Sequence, residues 1–160
     1  MSNETEKLLD DTGWELLCAL QENARSSYAD LGRRVGLTPP AVADRIRRLE
    51  AAGIISGYHA ALNPVKLGLG LMAIIRFQST TGSFERLFTV LQGCPEIVEC
   101  HQVTGGDCTT LTAVVASVEH LQELLSKLTP YGSSNTSIVL SSPILHRAIG
   151  REALPSVSEV

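Results

Sequence analysis

Aromatic residues are scarce in this chain: three Phe, three Tyr and one Trp, 4% of 160 residues, too few to line a large aromatic ligand box. No apolar run approaches the roughly 20 residues that a membrane-spanning helix needs. The opening MSNETEKLLDD is acidic and lacks the apolar core of a secretory signal, so none is expected. The cysteines, Cys18, Cys94, Cys100 and Cys108, show neither CxxC nor zinc-ligand spacing, and free thiols in a reducing cytoplasm are expected. His59, His120 and His146 are scattered. His101 adjoins Cys100, but neighbours on a strand point to opposite faces, so a packed cysteine and a half-buried histidine are expected rather than a nucleophile or metal pair. Catalytic residues, a metal and a cofactor are therefore not expected.

What the chain does have is length enough for one ordinary domain or two small ones and a 44% hydrophobic content that supports a real core. It also has one basic segment on an acidic background. Between Leu31 and Gly53 stand Arg33, Arg34, Arg45, Arg47 and Arg48 against Asp44 and Glu50, a local charge of +3 in a chain of net charge −4. A local basic patch on an acidic protein suggests a surface that faces a polyanion.

The same segment, Tyr28–Gly53, reads as two helices joined by a tight turn. Ser27 and Asp30 make a capping-box pattern, Ala29, Leu31 and Val35 supply inward contacts, and Gly36 stands where a helix C′ residue belongs. Leu37 plugs the turn, Thr38 can cap the second helix, and Pro39 suits its first turn. Val42, Ile46 and Leu49 recur at helical spacing and must face inward. Pro40, Ala41, Asp44, Arg45, Arg47 and Arg48 are left facing outward or sideways. Spacing alone fits a plain helical bundle as well. A small-residue N-terminus followed by arginines also fits a helix-turn-helix whose second helix enters a DNA major groove.

Upstream, Asp10 or Asp11 can cap a helix bearing Trp14, Leu16, Leu17, Cys18, Leu20 and Gln21 and ending near Glu22-Asn23. Downstream, Ile54, Ile55 and Gly57 form a turn, and Tyr58–Leu62 is β-prone enough for a strand serving as a small wing or hinge. Asn63-Pro64 and the glycines of Lys66–Gly70 place the domain boundary. Beyond it the expected elements are a strand at Leu71–Gln78, a helix at Ser83–Leu91, strands at Ile97–Val103 and Thr109–Ala116, a helix at Ser117–Leu128 and a strand at Thr136–Ser141. That order is the βαββαβ of ferredoxin-like domains. One sheet face of such a unit lacks cover, which invites dimerisation. The fold class expected is α+β: a three-helix, winged helix-turn-helix head over residues 1–62 with a hinge strand, a ferredoxin-like unit over 63–145, and a tail over 146–160 whose end, Leu154–Val160, is without order.

Three stretches carry a resemblance: LDDTGWELLCALQENARSSYADLGRRVGLT, VADRIRRLEAAGIISGYHAALNP and VTGGDC. Together they resemble the leucine-responsive/asparagine-regulator (Lrp/AsnC) family of transcription regulators, from about Leu9 to Leu140. The resemblance implies a DNA-binding head and a ferredoxin-like sensing domain in a cytoplasmic, nucleoid-associated protein. It also implies homodimers that assemble into tetramers or octamers and respond to an amino acid or related small metabolite. Many members carry an acid two places after an aromatic in the turn following the second strand; here that turn is Thr104-Gly105-Gly106-Asp107-Cys108.

For duplex DNA the candidates are Thr38, Pro40, Ala41, Asp44, Arg45, Arg47 and Arg48 on the recognition helix and Arg34 on the helix before it. Arg45 and Arg48, three apart, share a face. For the effector they are Thr104, Gly105, Gly106, Asp107 and Cys108, with Thr136 and Ser137. Glycine N–H groups can approach a ligand carboxylate and Asp107 can pair with its ammonium; a plain hairpin turn explains the same residues without a ligand. Two rivals remain: a tetrapyrrole decarboxylase of the same architecture, which the few histidines disfavour, and an assembly partner without DNA binding of its own, which the arginines disfavour.

Overall fold

Capping and apolar spacing account for the helices of the N-terminal part. In the computed structural model, which describes residues 3–79, 84–105 and 109–154, α1 spans Asn3–Leu8 and α2 spans Asp11–Glu22. Asp10 caps α2 by accepting the Gly13 N–H at 2.8 Å. Helix α3 (Tyr28–Val35) is capped by Ser27, whose Oγ accepts the Asp30 N–H at 3.1 Å and donates to the Asp30 carboxylate at 2.6 Å. Gly36, at φ 71°, closes α3 in the left-handed region that glycine adopts without strain. Helix α4 (Pro39–Ala51) follows after the three-residue turn Gly36-Leu37-Thr38.

Two expectations fail here: the side-chain cap at Thr38, and the three-helix head, to which α1 adds a fourth helix. Thr38 is the N-cap of α4 but makes no side-chain cap bond. A cap hydroxyl looks for the N–H of N2 or N3; N2 is Pro40, which has none, and the Thr38 hydroxyl does not take up the Ala41 N–H at N3. Short and charged, α1 carries no periodic apolar signal; its buried anchor is Leu8, which joins Leu17 and Leu49 in one small cluster. A second cluster holds Leu16, Ala19, Leu20, Leu31, Val42 and Ile46. Between them the two clusters bury the inner row of α4, so the second helix of the motif is a core element of the head.

The expected strand at Tyr58–Leu62 is not formed. These residues lie outside every helix and strand, because β-propensity alone makes no ladder and no strand among the described residues pairs with them. The chain divides at this point: Met1–Ala60 with Ile144–Val160 form one unit, and Ala61–Pro143 the other. Residues of the tail are tied to the first unit by Gln21, whose side-chain amide donates to the Ile149 carbonyl at 3.0 Å and accepts the Ile149 N–H at 2.8 Å. Arg151 pairs with Asp11 at 2.5 Å. The end of the tail, 155–160, lies outside the described residues.

The second unit is a four-stranded antiparallel sheet in the order β2-β3-β1-β4. Its strands are β1 (Leu71–Ser79), β2 (Ile97–Gln102), β3 (Thr109–Val115) and β4 (Gly132–Ile138), with α5 (Phe84–Gln92) and α6 (Val118–Leu128) between them. The expected helix start at Ser83 lies outside the described residues. Ala73, Ile75 and Phe77 of β1 and Leu111, Ala113 and Val115 of β3 share one face and pack with Leu87, Leu91, Leu121, Leu124 and Leu128 of the two helices. β4 starts four residues before the expected strand, because its polar run GSSNTSI reads as loop by composition while its edge position tolerates polar side chains. Gly132 is required there: a Cβ would lie 2.1 Å from the Gln78 carbonyl oxygen and 2.8 Å from the Phe77 ring.

Gly32 plays the same part in the head, where a Cβ would sit 2.4 Å from the Leu37 carbonyl oxygen. Alanine's better helix propensity is worth about 1 kcal/mol, whereas forcing apart a backbone contact of this kind costs about 1–3 kcal/mol. Gly32→Ala should therefore lower the stability of the head by up to about 2 kcal/mol, the difference of those two. Denaturant unfolding followed through Trp14, which lies in the head, checks this; a raised midpoint would contradict the packing described.

Candidate functional site

The corner between α3 and α4 is set by backbone bonds and by one apolar plug. The Leu37 N–H donates to the Gly32 carbonyl at 3.0 Å, and Leu37 itself packs on the head core beside Val35. Val42, Ile46 and Leu49, at 0%, 2% and 0% exposure, turn the opposite face of α4 to solvent. That face carries Pro40, Ala41, Asp44, Arg47 and Arg48, all exposed or partly so, with Arg45 at its flank. Pro39 and Pro40 remove two of the free N–H groups that a helix N-terminus ordinarily offers. The tip of α4 is thus small and apolar, suited to van der Waals contact with thymine methyl groups more than to donation.

The arginines are not equivalent. Arg33 pairs with Asp30 and Arg47 with Asp44 at 3.2 Å, each partner three residues back on the same exposed helix face. Such pairs are worth about 0–1 kcal/mol and exchange readily for another anion. Arg34 grips Glu22 of α2 with two bonds, at 2.6 and 3.1 Å. Its hydrogen bond to Glu22 raises the Arg34 pKa and lowers that of Glu22. Arg45 pairs with Asp10, and its side chain is only 23% exposed. Arg48 alone of the five makes no ion pair among the described residues. Sequence spacing placed Arg45 and Arg48 together on one face; burial separates them, since Arg45 leans into the α1–α2 corner. Asp10 and Glu22, which set this distribution, were legible only as a helix cap and a helix end.

At the C-terminal end of α4, Tyr58 donates its hydroxyl to Glu50 at 2.9 Å. Burial, and then this bond to a carboxylate, push the Tyr58 pKa up to about 12.

In the second unit, Thr104 and Gly105 follow β2 and are exposed, with Gly105 at φ 116°, a backbone state that suits glycine. Gly106, Asp107 and Cys108 lie outside the described residues. Thr136 and Ser137 are on β4, which the sheet order puts two strands away from β3, at the far edge from β2. With strands about 4.8 Å apart, Thr104 and Gly105 do not meet Thr136 and Ser137 within one chain. Thr136 pairs with Ile75 and Ser137 with Ile74, so they also point to opposite faces; the Thr136 hydroxyl oxygen is buried without a partner among the described residues. His101 is exposed at 62% rather than half-buried, while Cys100 packs on the core. Among the described residues no cluster of His, Cys, Asp or Glu could hold a metal ion, and no helix is long and apolar enough to cross a membrane.

Comparison with known proteins agrees on both units. Residues 9–56 match a family profile described as winged helix-turn-helix DNA-binding, and residues 72–149 one described as the Lrp/AsnC ligand binding domain. The transcriptional regulator LrpC of Bacillus subtilis is 31% identical over 133 residues, covering 83% of this chain and 92% of that protein. The leucine-responsive regulatory protein of Haemophilus influenzae is 36% identical over 128 residues, covering 78% and 77%. Among solved structures, a transcriptional regulator of Neisseria meningitidis in complex with L-methionine superposes with a TM-score of 0.82 at 28% identity, covering 88% of this chain and 96% of that one.

The arginine pairs carry a pH dependence whose sign follows from the shifts. Glu22 is held below its ordinary value of 4.5 by Arg34, and Asp30 below 3.8 by Ser27 and Arg33. Asp10 is also held below 3.8: burial pushes it up, but the Gly13 N–H and Arg45 outweigh it. A carboxylate depressed in the folded state stabilises it above the ordinary value and loses that contribution as pH falls through the folded one. Glu22→Gln should therefore melt below wild type at neutral pH, with the gap closing as pH drops under about 4.5. Thermal melts of both proteins from pH 7 to pH 3 test this, and a gap that widens in acid would refute the assignment.

Proposed function

The chain belongs to the Lrp/AsnC family of helix-turn-helix transcription regulators, which are not enzymes, and on that premise we propose how its two units divide the work. The head binds duplex DNA with α4 in the major groove. Pro40 and Ala41 approach base edges, Arg48 takes a phosphate or a guanine edge, and Arg47 joins it by giving up Asp44. Thr38 and Asp44 stand beside these contacts, and Arg34 reaches the backbone from α3 only by leaving Glu22. One observation carries this reading: an inner row buried to the limit fixes an outer row of small residues and arginines. Two heads of a symmetric dimer would read half-sites about 10 bp apart or a multiple of that.

The sensing unit would bind a small α-amino acid or a close metabolite. Support comes from the glycine-rich turn Thr104–Cys108 with its acid, and from a structural neighbour in complex with L-methionine. Thr136 and Ser137 sit at the opposite sheet edge, so a site that uses both sets draws them from different copies. The sheet face turned away from α5 and α6 carries Ile74 and Val114 among Arg76, Thr110 and Thr112 and supplies a surface for pairing. Dimers then assemble into tetramers or octamers, in the cytoplasm and on the nucleoid.

Arg48→Ala should weaken binding to an in vitro selected operator. A lost phosphate contact should also reduce the magnitude of the slope of log K against log salt by about 0.9. Fluorescence anisotropy over a salt series reads both; a folded variant with normal affinity and slope would sink the docking. For the sensor, a charge-assisted bond to the ligand ammonium is worth roughly 1.5–3 kcal/mol. Asp107→Ala should therefore weaken amino-acid binding by about one to two decades. Calorimetry with light scattering decides: if no amino acid binds below millimolar concentration and none changes the oligomer, the sensor reading fails.

A further inference from the structure

The Asp10–Arg45 pair sits where three elements of the head converge. One carboxylate oxygen of Asp10, Oδ1, accepts both the Gly13 N–H at 2.8 Å and Nη2 of Arg45. The same carboxylate thus starts α2 and grips α4. The corner beneath it is tightly built: a Cβ on Gly13 would lie 1.9 Å from the Leu8 carbonyl oxygen, and Leu8 and Leu17 pack against Leu49 of α4. Arg45 is drawn into this corner. Its side chain is 23% exposed against 71% for Arg47 on the same helix, and its Nε is buried without a partner among the described residues. A half-buried guanidinium that leaves its buried Nε unsatisfied is held by the remainder of its contacts, and pulling it out toward a phosphate would strand the Asp10 charge beside the DNA.

We propose that Asp10 is a positioning residue for the recognition helix, acting through Arg45, and that Arg45 sets the angle and depth of α4 rather than contacting a phosphate. The proposal rests on the reading of α4 as the DNA-reading helix. Under it the arginines of α4 have separate roles. Arg47 and Arg48 face the nucleic acid, and Arg45 holds the helix that carries them. The alternative role for the pair is competition, with Asp10 occupying Arg45 until a phosphate displaces it. The two roles have opposite consequences when the Asp10 charge is removed. A competitor's loss frees Arg45 and tightens binding to any duplex; a positioner's loss leaves the helix loosely set and weakens the selected operator alone.

Asp10→Asn separates them, because asparagine is as good an N-cap as aspartate and keeps the start of α2 intact. Arg45→Met, which keeps the apolar stem, is the second variant. Affinities of the full chain are measured for the selected operator and for a random duplex of equal length, over a salt series, at a temperature where melts show each variant folded. Each variant should lose about tenfold for the operator and little for the random duplex, so the specificity ratio falls. The salt slope should stay that of wild type, and the double variant should be no worse than either single one, as coupled residues require. A loss of stability alone would not move the specificity ratio of a folded protein. Tighter binding by Asp10→Asn, a slope reduced by about 0.9 in Arg45→Met, or unchanged operator affinity in both would overturn the proposal. Arg48→Ala run beside them keeps the outcomes apart: if it too leaves binding and slope untouched, the docking of α4 has failed and not merely the role of Asp10.

Discussion

Everything the head presents to a partner depends on the burial of Val42, Ile46 and Leu49. These three side chains insert the second helix of the motif into the core formed with α1, α2 and α3. Each is worth about 1.5–3 kcal/mol when fully buried, more together than the exposed ion pairs around them, at about 0–1 kcal/mol each. The core therefore decides which face of α4 looks out, and the ion pairs decide only how the arginines on that face are held. A helix fixed from behind can tolerate a tip of Pro39, Pro40 and Ala41 that contributes almost no hydrogen bonding of its own.

The charge distribution follows from that order of energies. The chain is acidic overall, at −4, and four of the five arginines in the motif already have a carboxylate partner. For Arg33 and Arg47 the partner is exposed and local, so exchanging it for a phosphate costs little. For Arg34 the Glu22 grip is bidentate and reaches another helix, and for Arg45 the grip is part of the packing. A formal charge of +3 thus overstates what is free at the surface and misplaces it. The charge free to meet a polyanion is concentrated toward Arg47 and Arg48, in the C-terminal half of α4, about two turns after its apolar tip.

Those distinctions mark how far the sequence could be read. The helix pair, the inward row of α4, the left-handed Gly36 and the order of strands and helices in the second unit were all visible, because each is a local pattern of period or capping. Membership of the family was visible in the same stretches. The partners of the arginines were not, since Asp10 lies 35 residues from Arg45 and no spacing rule connects them. Nor was the start of β4, whose serines and asparagine are allowed by an edge position that composition does not announce. Tyr58–Leu62 erred the other way: its propensity suggested a strand, and a strand exists only with a neighbour. The expected effector residues show the same limit, since proximity across a sheet is decided by strand order and not by residue type.

Three buried polar atoms have no partner among the described residues: Arg45 Nε, Thr136 Oγ1 and Glu96 Oε2. Each such atom costs about 1–3 kcal/mol relative to a satisfied one, so natural sequences keep few of them and keep them where something else compensates. For Glu96 the compensation is visible. Its other oxygen takes His120 at 3.2 Å and Lys127 at 3.3 Å; a bond to its own backbone first, then these two, hold its pKa below the ordinary value against burial. For Arg45 it is the grip on Asp10 and the packing of the corner. Thr136 differs: its hydroxyl is on the helix-covered face of an edge strand, where a β-branched apolar residue of the same shape would carry no such cost. Two of the three orphaned atoms thus belong to residues singled out for recognition, one in each unit. Local rules are broken where a structure serves something besides its own stability, and here those breaks fall on the helix proposed to read DNA and on the sheet edge proposed to meet an effector.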